Sequence, residues 1–229
     1  MISIRKSAER GHAKHGWLES RHTFSFADYH DPSQMGYGDL RVINEDRVSP
    51  SSGFGMHSHR NMEIISYVIE GELAHKDSMG NAFTLSKGDV QRMSAGTGVM
   101  HSECNPSEKE PVHFLQIWIL PDAKEISPGY EQKRFLDEEK LERLCLVASH
   151  DGRQGSLSIR QDVEIYATFA GKGVNYPMRV GRIAYIHVVS GKMNLNGLDL
   201  AEGDGAKIAN EPELRLEGEG EALIFDLKG

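Results

Sequence analysis

The chain has 229 residues, 38% of them hydrophobic, with a formal net charge of −8 and a pI near 5.8. That length allows one large domain or two small ones. The acidic balance and the absence of a long basic run argue against sequence-independent nucleic-acid binding, which rests on neutralising phosphates. The stretch Met1–Lys6 carries no apolar signal core, and no apolar run reaches bilayer length. No membrane association is expected, and a soluble cytoplasmic chain is the default. Two cysteines, Cys104 and Cys145, do not make a disulfide framework.

In chain order, the first unusual segment is Arg10–Pro32. It holds His12, His15, His22 and His30 with Trp17, Phe24, Phe26 and Tyr29, and shows little periodicity. It reads either as a lid or wall of a pocket, or as a surface segment pinned by Trp17, Phe24 and Phe26. The spacing of its histidines suits neither one strand nor one helix as a ligand set. Short β-rich runs follow at Leu40–Ile43, Glu63–Ile69, Val112–Leu120, Arg182–Val189 and Ala222–Leu227, punctuated by glycine turns. That spacing predicts an all-β sandwich or barrel. One short helix is predicted over Asp137–Leu146, with acidic residues first and Lys140 and Arg143 later, the order the helix dipole favours. Glu70-Gly71-Glu72 reads as a hairpin turn. His75–Asn81 reads as a second turn, which makes His75 structural or exposed.

The chemistry concentrates in Gly55-Met56-His57-Ser58-His59-Arg60-Asn61-Met62-Glu63. Side chains on a strand alternate faces, so His57, His59 and Glu63 share one face. Two imidazoles so placed reach one metal ion, and His101-Ser102-Glu103 supplies a third imidazole and a second carboxylate. The set predicts a mononuclear site for a divalent transition metal. Spacing alone does not choose between Glu63 and Glu103, since both share parity with their histidines. Cys104, of opposite parity, points away. Met56, Met62, Met93 and Met100 flank the ligands and read as pocket wall or as core filler.

His-x-His-x3-Glu, Gly71, Gly88-Asp89, Ala95-Gly96 and His101 with Asn105 resemble the two cupin motifs. Ser94 stands where the second motif usually has proline. Longer strings are similar to the pirin family, in its bacterial quercetin 2,3-dioxygenase-like branch. They are His22–Tyr29, Arg41–Asn44, His57–Glu63, His75–Asn81 and Ser94–Glu103. The resemblance is dense over residues 10–135 and thinner beyond. It implies a metal held by His57, His59, His101 and Glu103, with Glu63 behind the ligands, orienting an imidazole. The ion implied is Fe(II), with Zn, Mn, Co, Ni and Cu as chemical alternatives. The activity implied is that of an oxidoreductase. A flavonol, or a similar enolisable aromatic, binds through its 3-hydroxyl. Glu103 takes the proton as catalytic base, and dioxygen cleaves the heterocycle with release of carbon monoxide and a depside. The alternative is a non-enzymatic metal-binding module that regulates a protein partner, as other members of that family do.

The second half repeats the first weakly. Tyr67–Gly71 lines up with His187–Gly191, and Leu85–Asp89 with Leu200–Asp204. In that register His57, His59, His101 and Glu103 correspond to Pro177, Arg179, Leu216 and Gly218, so the second copy lacks every ligand. His187 reads as a core residue. The expectation is a bicupin of two β-barrel or jelly-roll domains with one or two short helices. Residues 1–135 carry the metal, residues 136–229 form the metal-free cupin, and the linker lies within Leu120–Asp151. A monomer is expected.

Overall fold

The computed structural model describes residues 1–229. The strand Val112–Ile119 shows how the sequence builds it. Phe114, Gln116 and Trp118 face the interior of the N-terminal barrel, while Leu115, Ile117 and Ile119 face the C-terminal half. A strand buried on both faces reads as a continuous apolar run, as this one does. Its neighbours complete a seven-stranded sheet in the order Gly129–Arg134, Asp89–Ser94, Glu63–Glu70, Val112–Ile119, Leu40–Val48, Leu18–His22 and Gly11–His15. A four-stranded sheet, ordered Gly53–His59, Val99–Cys104, Glu72–Asp77 and Ala82–Ser86, closes the N-terminal barrel. An eight-stranded sheet dominated by the long strands Val163–Pro177, Arg182–Leu195 and Glu213–Lys228 curls into the C-terminal barrel. The fold is an all-β bicupin with very little helix.

The internal repeat is visible in the turns. Gly88 and Gly203 both adopt positive φ, and the next residue, Asp89 or Asp204, accepts a hydrogen bond from the backbone N–H three positions back. The repeat ends at the ligands. Leu216 is fully buried in the apolar interior of the C-terminal barrel, and Arg179 pairs with Glu164 and Asp226.

Three expectations need correction. The helix over Asp137–Leu146 is a single turn, Asp137–Lys140. Lys140 is drawn inward to Glu221 at 2.7 Å, Glu142 takes φ +49°, and the chain is a strand again from Cys145. Gly71 is not a hairpin turn. The strands on either side belong to different sheets, and a side chain at this corner would collide with Pro111. Finally, Ile2–Arg5 does not stay with the N-terminal sheets; it pairs with Gly205–Ala209 in the C-terminal sheet. The remaining chain crosses between the sheets after Arg134 and before Cys145.

The largest apolar cluster, 22 buried residues, lies between the two halves; Ile65 and Leu115 from one side meet Tyr185 and Phe225 from the other. The C-terminal barrel encloses 15 buried apolar residues, whereas the N-terminal interior has separate clusters of 6 and 4. Cohesion of the N-terminal half therefore depends on the shared core. Phe225→Ala should cost about 3–5 kcal/mol and shift urea unfolding of both halves together. A biphasic curve with only the C-terminal half destabilised would refute this coupling.

Candidate metal centre

The strand Gly53–His59 pairs with Val99–Cys104, and His57 stands opposite His101. The register then slips, so that Glu103 faces Phe54 and three steps on one strand match two on the other. Such a bulge re-aims side chains. Here Phe54 and His57 both turn inward, while Gly55 and Met56 are exposed. The Gly55 carbonyl accepts a hydrogen bond from His57 Nδ1 at 2.8 Å, leaving Nε2 free. The ring centroids of His57, His59 and His101 are 4.4–4.8 Å apart, and a ligating nitrogen from each lies within 4.8 Å of the others. His101 is fully buried, yet neither ring nitrogen has a hydrogen-bond partner. Orphaned buried polar atoms are costly; a metal ion would supply the missing partner. Burial, then His57 and His59, holds His101 down to about 3, and burial with His57 holds His59 down to about 4. Both are neutral at pH 7 and offer lone pairs. The residues fit a divalent transition metal.

Glu103 lies directly behind. Its Oε1 accepts from Ser66 Oγ at 2.9 Å and its Oε2 from Gln116 Nε2 at 2.6 Å, and burial raises its pKa against these donors. A carboxylate has about four lone-pair sites, so capacity for a metal remains. These donors belong to a polar row that crosses the sheet in register: His22, Asn44, Gln116, Ser66 and Gln91. A carboxylate oxygen of Glu103 groups within 4.8 Å of ligating nitrogens of His101 and His75. His75 is thus neither exposed nor remote. It is buried, directly opposite Glu103 on the neighbouring strand. Cys104 faces outward as expected, and both cysteines are free.

Glu63 does not orient an imidazole. It begins a strand of the other sheet, where its Oε2 accepts from Ser94 Oγ and from the Arg160 backbone N–H. Arg60-Asn61-Met62 separates it from the histidine strand, and Asn61 has positive φ, so parity is lost before Glu63.

A chamber of about 90 Å³ opens over the histidines, walled by Phe26, Phe54 and Trp118. No methionine lines it. Met93 is core, whereas Met56 and Met100 are half exposed. The segment Arg10–Pro32 is a wall built mostly as a hairpin, Gly11–His15 against Leu18–His22. His22 and Phe26 line both the chamber and an adjoining vestibule of about 550 Å³. Asp46, also missed, lines the chamber on the buried face shared with Asn44, and its Oδ1 has no partner. An inward-facing Asn-x-Asp in a strand was its only signal.

Known proteins bear on this arrangement. The pirin family model matches residues 3–119, and the model of the quercetinase C-terminal cupin domain matches residues 146–227. The chain belongs to the pirin family. This pirin is 46% identical to a quercetin 2,3-dioxygenase of Escherichia coli, over 99% of each chain. It is 44% identical to a putative quercetin 2,3-dioxygenase of Pseudomonas aeruginosa, over 94% of each. The bacterial pirin YhhW of Escherichia coli, solved in complex with nickel(II), superposes with a TM-score of 0.95 at 45% identity, covering 100% of this chain and 99% of that one.

Burial pushes the Asp46 carboxyl up to about 7; the Ser20 hydroxyl opposes the rise, and the Glu103 and Glu45 charges add to it. In the metal-free protein this carboxyl stays neutral while its unfolded counterpart ionises near 3.8. Its contribution to stability is therefore present below pH 4 and is lost as pH rises to about 7. Asp46→Asn should be more stable than the parent at pH 8 by a few kcal/mol, because each tenfold difference in proton affinity between the folded and unfolded chains is worth roughly 1.4 kcal/mol. The gap should close at pH 4. Urea unfolding at both pH values checks this, and a gap independent of pH would refute it.

Proposed function

We propose that this chain is a metal-dependent dioxygenase of the quercetin 2,3-dioxygenase type, acting on a flavonol or a similar enolisable aromatic. The carrying observation is the orphaned imidazole cluster with a buried carboxylate behind it, beneath an aromatic-walled chamber that opens to a vestibule. His57, His59, His101 and Glu103 are the proposed ligands. Three imidazoles and a carboxylate suit Fe(II) and equally Ni, Co, Mn, Cu or Zn. When bound, such an ion supplies a Lewis-acidic docking point for an enolic oxygen and a path for electrons to dioxygen.

The remaining work falls to the chain. Flavonol-sized ligands need several hundred Å³, so the 90 Å³ chamber admits only one edge and the vestibule takes the rest. Phe26 and Trp118, edge to face at 5.3 Å, contribute an apolar wall that excludes water from that edge. Glu103, with its pKa raised by burial, is the base for the ligand's hydroxyl proton, and the Ser66 and Gln116 donors hold it in place. The protein is proposed to act as a monomer. Two free thiols suit a reducing compartment such as the cytoplasm.

Anaerobic reconstitution with each metal, followed by oxygen uptake with quercetin, tests this reading. The expected result is uptake by the parent and loss of at least 100-fold in Glu103→Ala whose metal content has been confirmed. His57→Ala should lose both metal and uptake with the fold intact. A filled site with no uptake for any metal would sink the enzyme and favour a metal-binding module that regulates a protein partner.

A further inference from the structure

His75 is absent from the proposed ligand set, yet it has the surroundings of a working imidazole. Its side chain is fully buried. Its Nε2 faces Asp77 Oδ2 at 3.1 Å, and its Nδ1 has no partner at all. Asp77 is itself pinned, accepting from the Met79 N–H at 2.9 Å, the Asn81 N–H at 3.0 Å and Asn81 Nδ2 at 2.8 Å. So surrounded by donors, Asp77 acts as an acceptor toward His75. The proton of His75 therefore sits on Nε2, and Nδ1 presents a bare lone pair. Tyr130 covers the ring at 5.0 Å between centroids.

His101 also lacks partners, and a ligating atom of its ring lies within 4.8 Å of one of His75. Its ring centroid lies 4.4 Å from that of His57, 4.8 Å from that of His59 and 5.4 Å from that of His75. A neutral imidazole has one lone pair and one N–H. Once the lone pair of His101 goes to a metal among the three histidines, its N–H needs an acceptor inside the barrel. No backbone carbonyl or carboxylate takes it. The lone pairs that Ser66 and Gln116 leave free on Glu103 are committed to the metal in the proposed ligand set. The Nδ1 of His75 is the acceptor left over.

We propose that His75 is a positioning residue of the metal centre, accepting the ring N–H of His101 so that Asp77, His75 and His101 form a chain that sets the tautomer and orientation of that ligand. This rests on His101 being a ligand, as proposed above. Partners of ligand imidazoles are commonly carboxylates or carbonyls, and their loss typically weakens metal binding 10–100-fold. Here a second imidazole takes that place and passes the constraint to a carboxylate anchored in the turn Ser78–Asn81.

Two substitutions test it. His75→Leu removes the acceptor and keeps bulk; His75→Gln restores an acceptor oxygen. Nickel affinity is read by chelator competition. The ring N–H protons of the ligands are read as exchangeable, hyperfine-shifted proton resonances of the cobalt(II)-loaded protein. The expected result for His75→Leu is nickel binding weakened about 10- to 100-fold, with one N–H resonance lost or brought into fast exchange with water. His75→Gln should recover most of the affinity and that resonance, and melting of the metal-free proteins controls for folding. If His75→Leu does not fold, a His75→Gln protein that folds but lacks the protected resonance overturns the proposal. Unchanged affinity and resonances in His75→Leu also overturn it. Two nickel ions per parent chain and one per His75→Leu chain would overturn it in favour of a second metal position. His101→Ala with parental affinity would sink the ligand set itself, whereas lost affinity in His101→Ala beside an unaffected His75→Leu sinks only the role of His75.

Discussion

The N-terminal barrel keeps a polar interior, and most of the architecture answers to that constraint. His57, His59, His101, Glu103, Asn44, Asp46, Ser66 and Gln116 all point into a space that the C-terminal barrel fills with aliphatic side chains. Polar groups removed from water are tolerated only when they are paired. The cross-strand row His22, Asn44, Gln116, Ser66 and Gln91 does much of this pairing, and it serves Glu103 as well. Among the buried polar atoms left without a partner, both nitrogens of His101, Nδ1 of His75 and Oδ1 of Asp46 lie around the proposed ion and its chamber.

An interior devoted to chemistry leaves little room for a core. The C-terminal barrel offsets this from outside. Alternate residues of Glu63–Glu70, Val112–Ile119 and Leu40–Val48 point away from the site and bury against the eight-stranded sheet. The second barrel thereby acts as a hydrophobic wall for the first, and the exchanged strand Ile2–Arg5 fastens the two covalently distant ends. Polar clasps add to this. Lys140 bonds to Glu221 beside Tyr67, and Lys6 meets Asp204 at 2.9 Å. Leu216, which corresponds to His101 in the repeat, adds to the apolar interior of the supporting barrel.

Local irregularities do the fine placement. The bulge opposite His101 and Glu103 brings His57 and Phe54 to one face. The corner at Gly71 lets the chain leave the seven-stranded sheet and present His75 to the site from the smaller one. Neither feature follows from strict alternation. Both decide which side chains meet.

The sequence by itself determined the architecture class, the grouping of the histidines and the internal repeat. Those signals are local: two imidazoles two residues apart, a glycine–aspartate turn repeated at 88–89 and 203–204, and apolar runs of strand length. The family strings supplied what spacing left open between Glu63 and Glu103. Tertiary structure alone decided the rest. Glu63 leaves the site because the chain turns at Asn61 and changes sheet, which breaks the parity it shared with His59. His75 enters the site because register puts it across from Glu103, a pairing set by hydrogen bonds between strands about 30 residues apart. The Arg10–Pro32 wall was obscure because its inward face lines a polar pocket, so its hairpin lacks the hydrophobic alternation that makes a strand legible. Asp137–Leu146 had a helix's charge pattern, but a buried Lys140 bound to Glu221 outweighed the dipole's preference. In each case a contact between residues distant in the chain overrode the local pattern, because desolvation and pairing inside a barrel carry more free energy than strand parity or helix propensity.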